Sequence, residues 1–158
     1  MTPHQGSWFA FLLIGLSILV GGCRKKAEKE SGDSKVLEAL APYNPRPTLD
    51  EQGRVVELKL EGPQVDDKAL GHVKNLAELK TLSLYGSSVT DGGLANLNEA
   101  RRLEALGLGK TAVSRNGLTH LERLPALRWL WVTENKTLTP AQIEDFKKRA
   151  VPGVTVYP

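Results

Sequence analysis

The sequence predicts an α/β fold built as a short repeat solenoid, and three observations predict it. First, Leu79–Ala126 holds two copies of one 24-residue pattern, LKTLSLYGSSVTDGGLANLNEARR followed by LEALGLGKTAVSRNGLTHLERLPA. Leu79, Leu82, Leu84, Val89, Leu94 and Leu97 return in phase as Leu103, Leu106, Leu108, Val113, Leu118 and Leu121, and self-similarity at a fixed period marks stacked supersecondary units. Second, the period changes inside each unit. LxxLxL sets alternate residues on opposite faces of a short strand, whereas Leu94, Leu97 and Ala100 follow a helical step of three. Third, Asp66, Thr90, Ser114 and Thr139 stand in equivalent places between strand and helix. Each can accept hydrogen bonds from the N–H groups of a first helical turn. Pro140 follows Thr139 at the first helical position, where its missing N–H costs nothing.

The pattern runs outward from this centre. Val55, Leu58, Leu60, Val65, Leu70 and Val73 keep the phase upstream, and Leu127, Leu130 and Val132 keep it downstream. The last loop gains one residue, so Leu138, Ile143 and Phe146 fall one place late; Val151, Val154 and Val156 supply a truncated terminal strand. Repeats therefore start near 55, 79, 103 and 127, with a terminal strand in 151–158. One unit cannot fold alone: its few apolar side chains do not offset the entropy of ordering its backbone, so stacking must supply the remainder.

LxxLxL followed by a T/S-V-T-D-x-G-L-like turn resembles the leucine-rich repeat family, in its 24-residue subclass of bacterial and ubiquitin-ligase-associated proteins. The resemblance covers Val55–Pro158 and is most specific in the middle two repeats. It implies parallel strands on a concave face and helices on a convex face. The position of the family's asparagine ladder is held by Pro63, Ser87, Thr111 and Asn135. Hydroxyl residues thus replace most of the ladder, which leaves the hydrogen bonding of this turn open.

Residues 1–22 read as a signal peptide. Trp8–Val20 is almost wholly apolar, short for a membrane-spanning helix and suited to a signal-peptide core. It ends in Val20-Gly21-Gly22-Cys23, which resembles a bacterial lipobox, with cleavage after Gly22 and lipidation, palmitate included, of Cys23. The leader carries no Lys or Arg, and an uncleaved anchor with an incidental cysteine is the other reading. Either way a membrane holds the body, by lipid in the first case. Arg24 rather than Asp after the lipid site resembles outer-membrane sorting where the envelope has two membranes. Residues 23–35 read as a lipidated cysteine and a charged, disordered tether averaging roughly 17–20 Å. Its basic start suits either anionic headgroups or solubility alone. Residues 36–54 read as an N-terminal cap: a short helix at VLEALA, a proline-rich connector, and a strand–turn–strand hairpin that covers the open edge of the first repeat strand.

Composition narrows the function. The single cysteine excludes a disulfide framework and a cysteine metal site. A net charge of +3 is too small to indicate nucleic acid. No nucleophile elbow, phosphate-binding glycine loop or paired-histidine motif is present, so no enzyme, metal or cofactor is expected. His72 and His120 fall on different helices and read as surface residues. Basic residues gather at helix ends, at Arg101-Arg102, Arg123 and Lys147-Lys148-Arg149, as the helix dipole favours; a basic ridge toward lipid or an acidic partner is the alternative.

Residues between the buried strand leucines carry the binding expectation. These are Glu57, Lys59 and Glu61; Thr81, Ser83 and Tyr85; Ala105, Gly107 and Gly109; and Trp129, Trp131 and Thr133, with Tyr157 on the last strand. Two tryptophans beside a row without large side chains predict a shallow depression walled by aromatics, with Tyr85 on its far side. Exposed Trp and Tyr are enriched where partners bind. Trp129, Trp131, Tyr85, Tyr157, Lys59 and Glu57 are therefore the candidate contacts for a protein, peptide or glycan. The competing account is that the indoles only shield the sheet. The expected function is a lipid-anchored binding module of the bacterial envelope. A structural spacer without a specific ligand and a ubiquitin-ligase-like substrate receptor are the alternatives.

Overall fold

The computed structural model describes residues 32–158. The expected signal peptide, its cleavage position Gly22, the lipid acceptor Cys23 and most of the expected tether lie outside the described residues.

The fold is α/β, with one six-stranded sheet that is parallel except at its first strand. The described residues open with α1 (Gly32–Leu40) and a 3-10 turn, then β1 (Arg46–Leu49) pairs antiparallel with β2 (Val55–Lys59). From there strand and helix alternate: α2 (Asp67–Val73), β3 (Thr81–Ser83), α3 (Asp91–Leu94), β4 (Ala105–Gly107), α4 (Arg115–Thr119), β5 (Trp129–Trp131), α5 (Pro140–Arg149) and β6 (Thr155–Tyr157). Each strand is hydrogen-bonded to the next in sequence, in the order β1 to β6.

The register follows the sequence period. Leu58, Leu82, Leu106, Leu130 and Val156 stand opposite one another along β2–β6, all buried. Leu60, Leu84, Leu108 and Val132 form a second buried row. Alternation then sends the intervening side chains to the other side of the sheet. The step of three at Leu94 and Leu97 has a local cause. α3 lasts one turn and continues as a 3-10 turn over Ala95–Leu97, in which residues three apart eclipse.

α1 begins earlier than the sequence suggests. Residues 32–35, expected in the disordered tether, are helical, because the Asp33 carboxylate accepts a hydrogen bond from Val55 N at 2.7 Å. That contact, with Val36 and Leu40 buried in the core, fixes the cap to the first parallel strand.

All four expected N-caps form. Asp66 accepts from Lys68 N and Ala69 N, Thr90 from Gly92 N, Ser114 from Asn116 N, and Thr139 from Gln142 N. Gln142 returns a bond from Thr139 N and completes a capping box. A further device links one helix to the next. The Asp67 carboxylate, just after the first cap, accepts from Thr90 N at 2.8 Å and Thr90 Oγ1 at 2.6 Å. Asp91 does the same for Ser114, at 2.7 and 2.5 Å. Each carboxylate sits where a Cβ on the following unit would be: one built at Gly93 would lie 2.3 Å from Asp67 Oδ1, and one at Gly117 2.4 Å from Asp91 Oδ1. Where the aspartate is replaced by Arg115, the following unit carries Gln142 instead of glycine.

The turn left open by the sequence is joined differently from repeat to repeat: between the first two, Ser88 Oγ donates to Pro63 O at 2.7 Å. Thr111 Oγ1 donates to Leu108 O at 2.8 Å and accepts from Asn135 Nδ2 at 3.2 Å, and Thr137 Oγ1 donates to Val113 O. Ser87 Oγ, at the equivalent place, is buried without a partner.

Substitution of Gly93 or Gly117 by Ala is expected to destabilise the fold by about 1–3 kcal/mol, because the carboxylate must leave its hydrogen bonds. Gly71→Ala in α2, where an added Cβ meets nothing within 4 Å, should instead stabilise by about 0.5–1 kcal/mol through helix propensity and unfolded-state entropy. Urea unfolding midpoints of the three variants check the opposite signs.

Candidate binding face

The sheet has one face turned to the helices and one turned away from them. On β5 the buried Leu130 separates Trp129 and Trp131, so both indoles leave by the free face. The same alternation about Val156 exposes Tyr157, and about Leu58 it places Glu57 and Lys59 on this side. Trp129, Trp131, Tyr85 and Tyr157 keep 42%, 38%, 40% and 41% of their surface exposed. Parallel register sets Trp131 opposite Tyr157. Their rings stack with centroids 5.3 Å apart and planes 10° from parallel, a favourable aromatic arrangement.

Tyr85 is not a far wall, as the sequence suggested. Its ring crosses β4, with Cδ2 only 2.8 Å from where a Gly109 Cβ would stand. Its hydroxyl donates to Glu134 Oε1 at 2.7 Å. Glycine at 109 is what lets the ring lie flat. The small-residue row is consequently narrower than expected: Ala105 and Gly109 are buried, and Gly107 alone stays half-exposed beside Ser83. The structure thus gathers Trp129, Trp131 and Tyr157 at one end of the face, and Tyr85 leans toward them.

Glu57 and Lys59 lie apart, on β2. Three strand spacings separate them from β5, roughly 14 Å. Lys59 Nζ is 3.7 Å from Glu57 Oε1, Thr48 Oγ1 donates to Glu57 at 3.4 Å, and Ser83 Oγ donates to Glu61 Oε1 at 2.8 Å. This is a self-satisfied polar end, and the aromatic end holds the candidate site. Glu134 was missed from sequence; it follows the strand in a loop, and nothing in the repeat pattern marks its contact with Tyr85.

No protein-family model matches the chain, and no curated protein is significantly similar to it. Among the described residues, no helix is long and apolar enough to cross a membrane, and no group of three His, Cys, Asp or Glu side chains could hold a metal ion. His72 and His120 are half-buried rather than fully exposed. The basic helix ends are partly spoken for: Arg102 pairs with Glu78, and Arg149 with Glu122 and Asp145.

Chemically, the face offers aromatic contact area. Flat, rigid rings offer contact area at small entropic cost. The hydrogen bond to the Glu134 carboxylate raises the Tyr85 pKa above its usual 10.0, with desolvation and the carboxylate's charge adding to it. A raised folded-state pKa gives stability that is complete below the unfolded value and is lost as pH rises through the folded one. Glu134→Gln removes the charge, so Tyr85 should ionise nearer its ordinary value. Ultraviolet absorbance titration at alkaline pH should show one tyrosine transition moving to lower pH in the variant, with Tyr85→Phe removing that transition.

Proposed function

We propose that the chain is a leucine-rich repeat lipoprotein, anchored through Cys23 in a bacterial envelope, that holds a protein partner on the concave face of its sheet. The observation that carries this reading is the cluster of Trp129, Trp131 and Tyr157 on the free face, each about two-fifths exposed although Ala105 and Gly107 stand beside the two indoles in register. Side chains serving only to shield the sheet would bury more of their rings. Exposed tryptophan and tyrosine in one contiguous patch are the residue types in which binding energy concentrates.

The repeat register supports the leucine-rich repeat assignment: buried leucines recur at one spacing, with strand and helix alternating in every unit. Membrane attachment rests on the lipobox-like Val20–Cys23 alone. The tether then lets the face search the space near the membrane while the lipid keeps it there. Binding rather than catalysis suits a face whose carboxylates are engaged by neighbouring hydroxyl and ammonium groups.

Capture from envelope extracts with the wild-type chain and with Trp131→Ala, quantified by mass spectrometry, tests the face. A true partner should be retained about 30-fold more weakly by the variant, equivalent to about 2 kcal/mol. Arg123→Ala, on the helix side, should retain it fully. If Trp131→Ala holds every partner as well as the wild type does, the aromatics shield the sheet and the chain is a spacer. Intact mass of the membrane fraction tests the anchor: a chain that starts at a lipidated Cys23 is expected.

A further inference from the structure

Trp131 stands between two unlike neighbours. In register on one side is Tyr157, whose ring stacks on the indole with centroids 5.3 Å apart and planes 10° from parallel. In register on the other side is Gly107, which has no side chain. The centroid separation is close to the ~4.8 Å between neighbouring strands, so the stacking direction runs across the sheet. Tyr157 covers one face of the indole, and the opposite face looks over Gly107. The indole does not lean down to fill that space. The atoms nearest to a Cβ built at Gly107 all belong to β3: Ser83 Cα at 3.6 Å, Ser83 Oγ at 3.7 Å and Leu82 O at 3.9 Å. A slot therefore lies between β3 and β5, with Gly107 as its floor and the free face of Trp131 as one wall.

The other wall is polar. Ser83 Oγ donates to Glu61 Oε1 at 2.8 Å and so holds that carboxylate over β3. Glu61 makes no ion pair among the described residues, and its Oε2 accepts no hydrogen bond from them. Lys59 stands in register with Ser83, but its ammonium is 3.7 Å from Glu57 Oε1. Tyr85 bounds one end of the slot, lying over Gly109 and tied to Glu134. Ala105 and Trp129, paired in register, bound the other. Two strand spacings, roughly 10 Å, separate β3 from β5. That leaves room for one planar group against the indole with a carboxylate beside it. The face of an aromatic ring is its negative side, so indole and carboxylate attract the same kind of group, a cation.

We propose that this slot takes an arginine side chain of the protein partner. The guanidinium lies against the free face of Trp131 and donates to Glu61 Oε2. This rests on the reading of the face as a protein-binding surface, and it names the group that the partner presents. Tryptophan is the aromatic residue that holds a cation best. A guanidinium adds planar stacking and a fork of donors suited to a carboxylate, which an ammonium lacks.

Titration of the full chain in detergent micelles with acetyl-Gly-Arg-Gly-amide, followed by the indole N–H resonances of Trp129 and Trp131, tests this. The Trp131 resonance should shift saturably. The same peptide with citrulline, which keeps the shape and loses the charge, should bind at least about tenfold more weakly, the loss expected when a charge-assisted hydrogen bond is removed. Glu61→Gln should weaken the arginine peptide by a similar factor. Gly107→Val, which fills the floor of the slot, should abolish the shift. Its urea midpoint should be no lower than that of the wild type, because a β-branched residue suits a strand and the added Cβ meets only ordinary contacts; lost binding is thereby separated from a lost fold. Equal affinity for arginine and citrulline, no saturable shift with arginine, or unchanged binding in Gly107→Val would overturn the proposal. A saturable shift with maltotetraose and none with arginine would overturn it in favour of a glycan. The wider reading stands or falls separately: if Trp131→Ala releases the captured partners while Glu61→Gln and Gly107→Val retain them, the face binds protein without this arginine.

Discussion

No unit of this chain owns a core; each completes the core of its neighbour. Leu58, Leu82, Leu106, Leu130 and Val156 are buried because they lie side by side across five parallel strands. A strand of three residues has almost no stability by itself. Registered stacking is therefore the condition on which every other feature rests. It explains why spacing is conserved inside the chain more strictly than residue identity. It also explains why the first strand is covered by a hairpin and helix of different character, since the leading unit has no predecessor to bury it.

Stacking is enforced by polar contacts as well as by leucine. Asp67 and Asp91 each satisfy both the backbone N–H and the hydroxyl of the next unit's cap. A carboxylate in that place needs an empty volume in the following unit, which Gly93 and Gly117 supply. The two residue types act as a pair reaching across the repeat boundary, and neither makes sense alone. Charge alternates along the stack in the same spirit. Glu78 lies between Arg54 and Arg102, one repeat away on either side, and Lys80 faces Glu104 at 3.9 Å. Exposed pairs of this kind add little stability. Their alternation does make a shifted or reordered stack bring like charges together.

Much of the fold was legible because its causes are local or periodic. The alternating leucines gave the strands and their buried face, and Asp66, Thr90, Ser114 and Thr139 gave the helix starts, since a cap acts within three residues of itself. The start of α1 was not legible: Asp33, itself outside the repeats, is held by Val55 N, a partner 22 residues away. At the candidate site, alternation placed Trp129, Trp131 and Tyr157 correctly on the free face. It could not show Tyr85 lying across Gly109 to reach Glu134, because a side chain's course across two strands depends on the volume left by others. The narrower floor at Ala105 and Gly109 follows from that same crossing.

The stack changes character at its fourth unit, and the changes belong together. Arg115 replaces the bridging aspartate, the next loop gains a residue, and α5 runs for 10 residues where α4 has 5. With no carboxylate arriving from α4, the position equivalent to Gly93 and Gly117 is free for Gln142, which closes a capping box instead. Arg115 reaches Asp145 on α5, 2.9 Å away, and Arg149 pairs with the same carboxylate at 3.0 Å. The Arg115 hydrogen bond holds the Asp145 carboxyl below its usual range against the opposing effect of desolvation. The pair is thus formed at neutral pH and is released only as pH falls through that lowered value. Val132, Leu138 and Ile143 meet between the longer loop and this independently capped helix, all three buried. These departures from the repeat therefore have one origin: with no carboxylate arriving from α4, the last unit is capped and tied by its own residues.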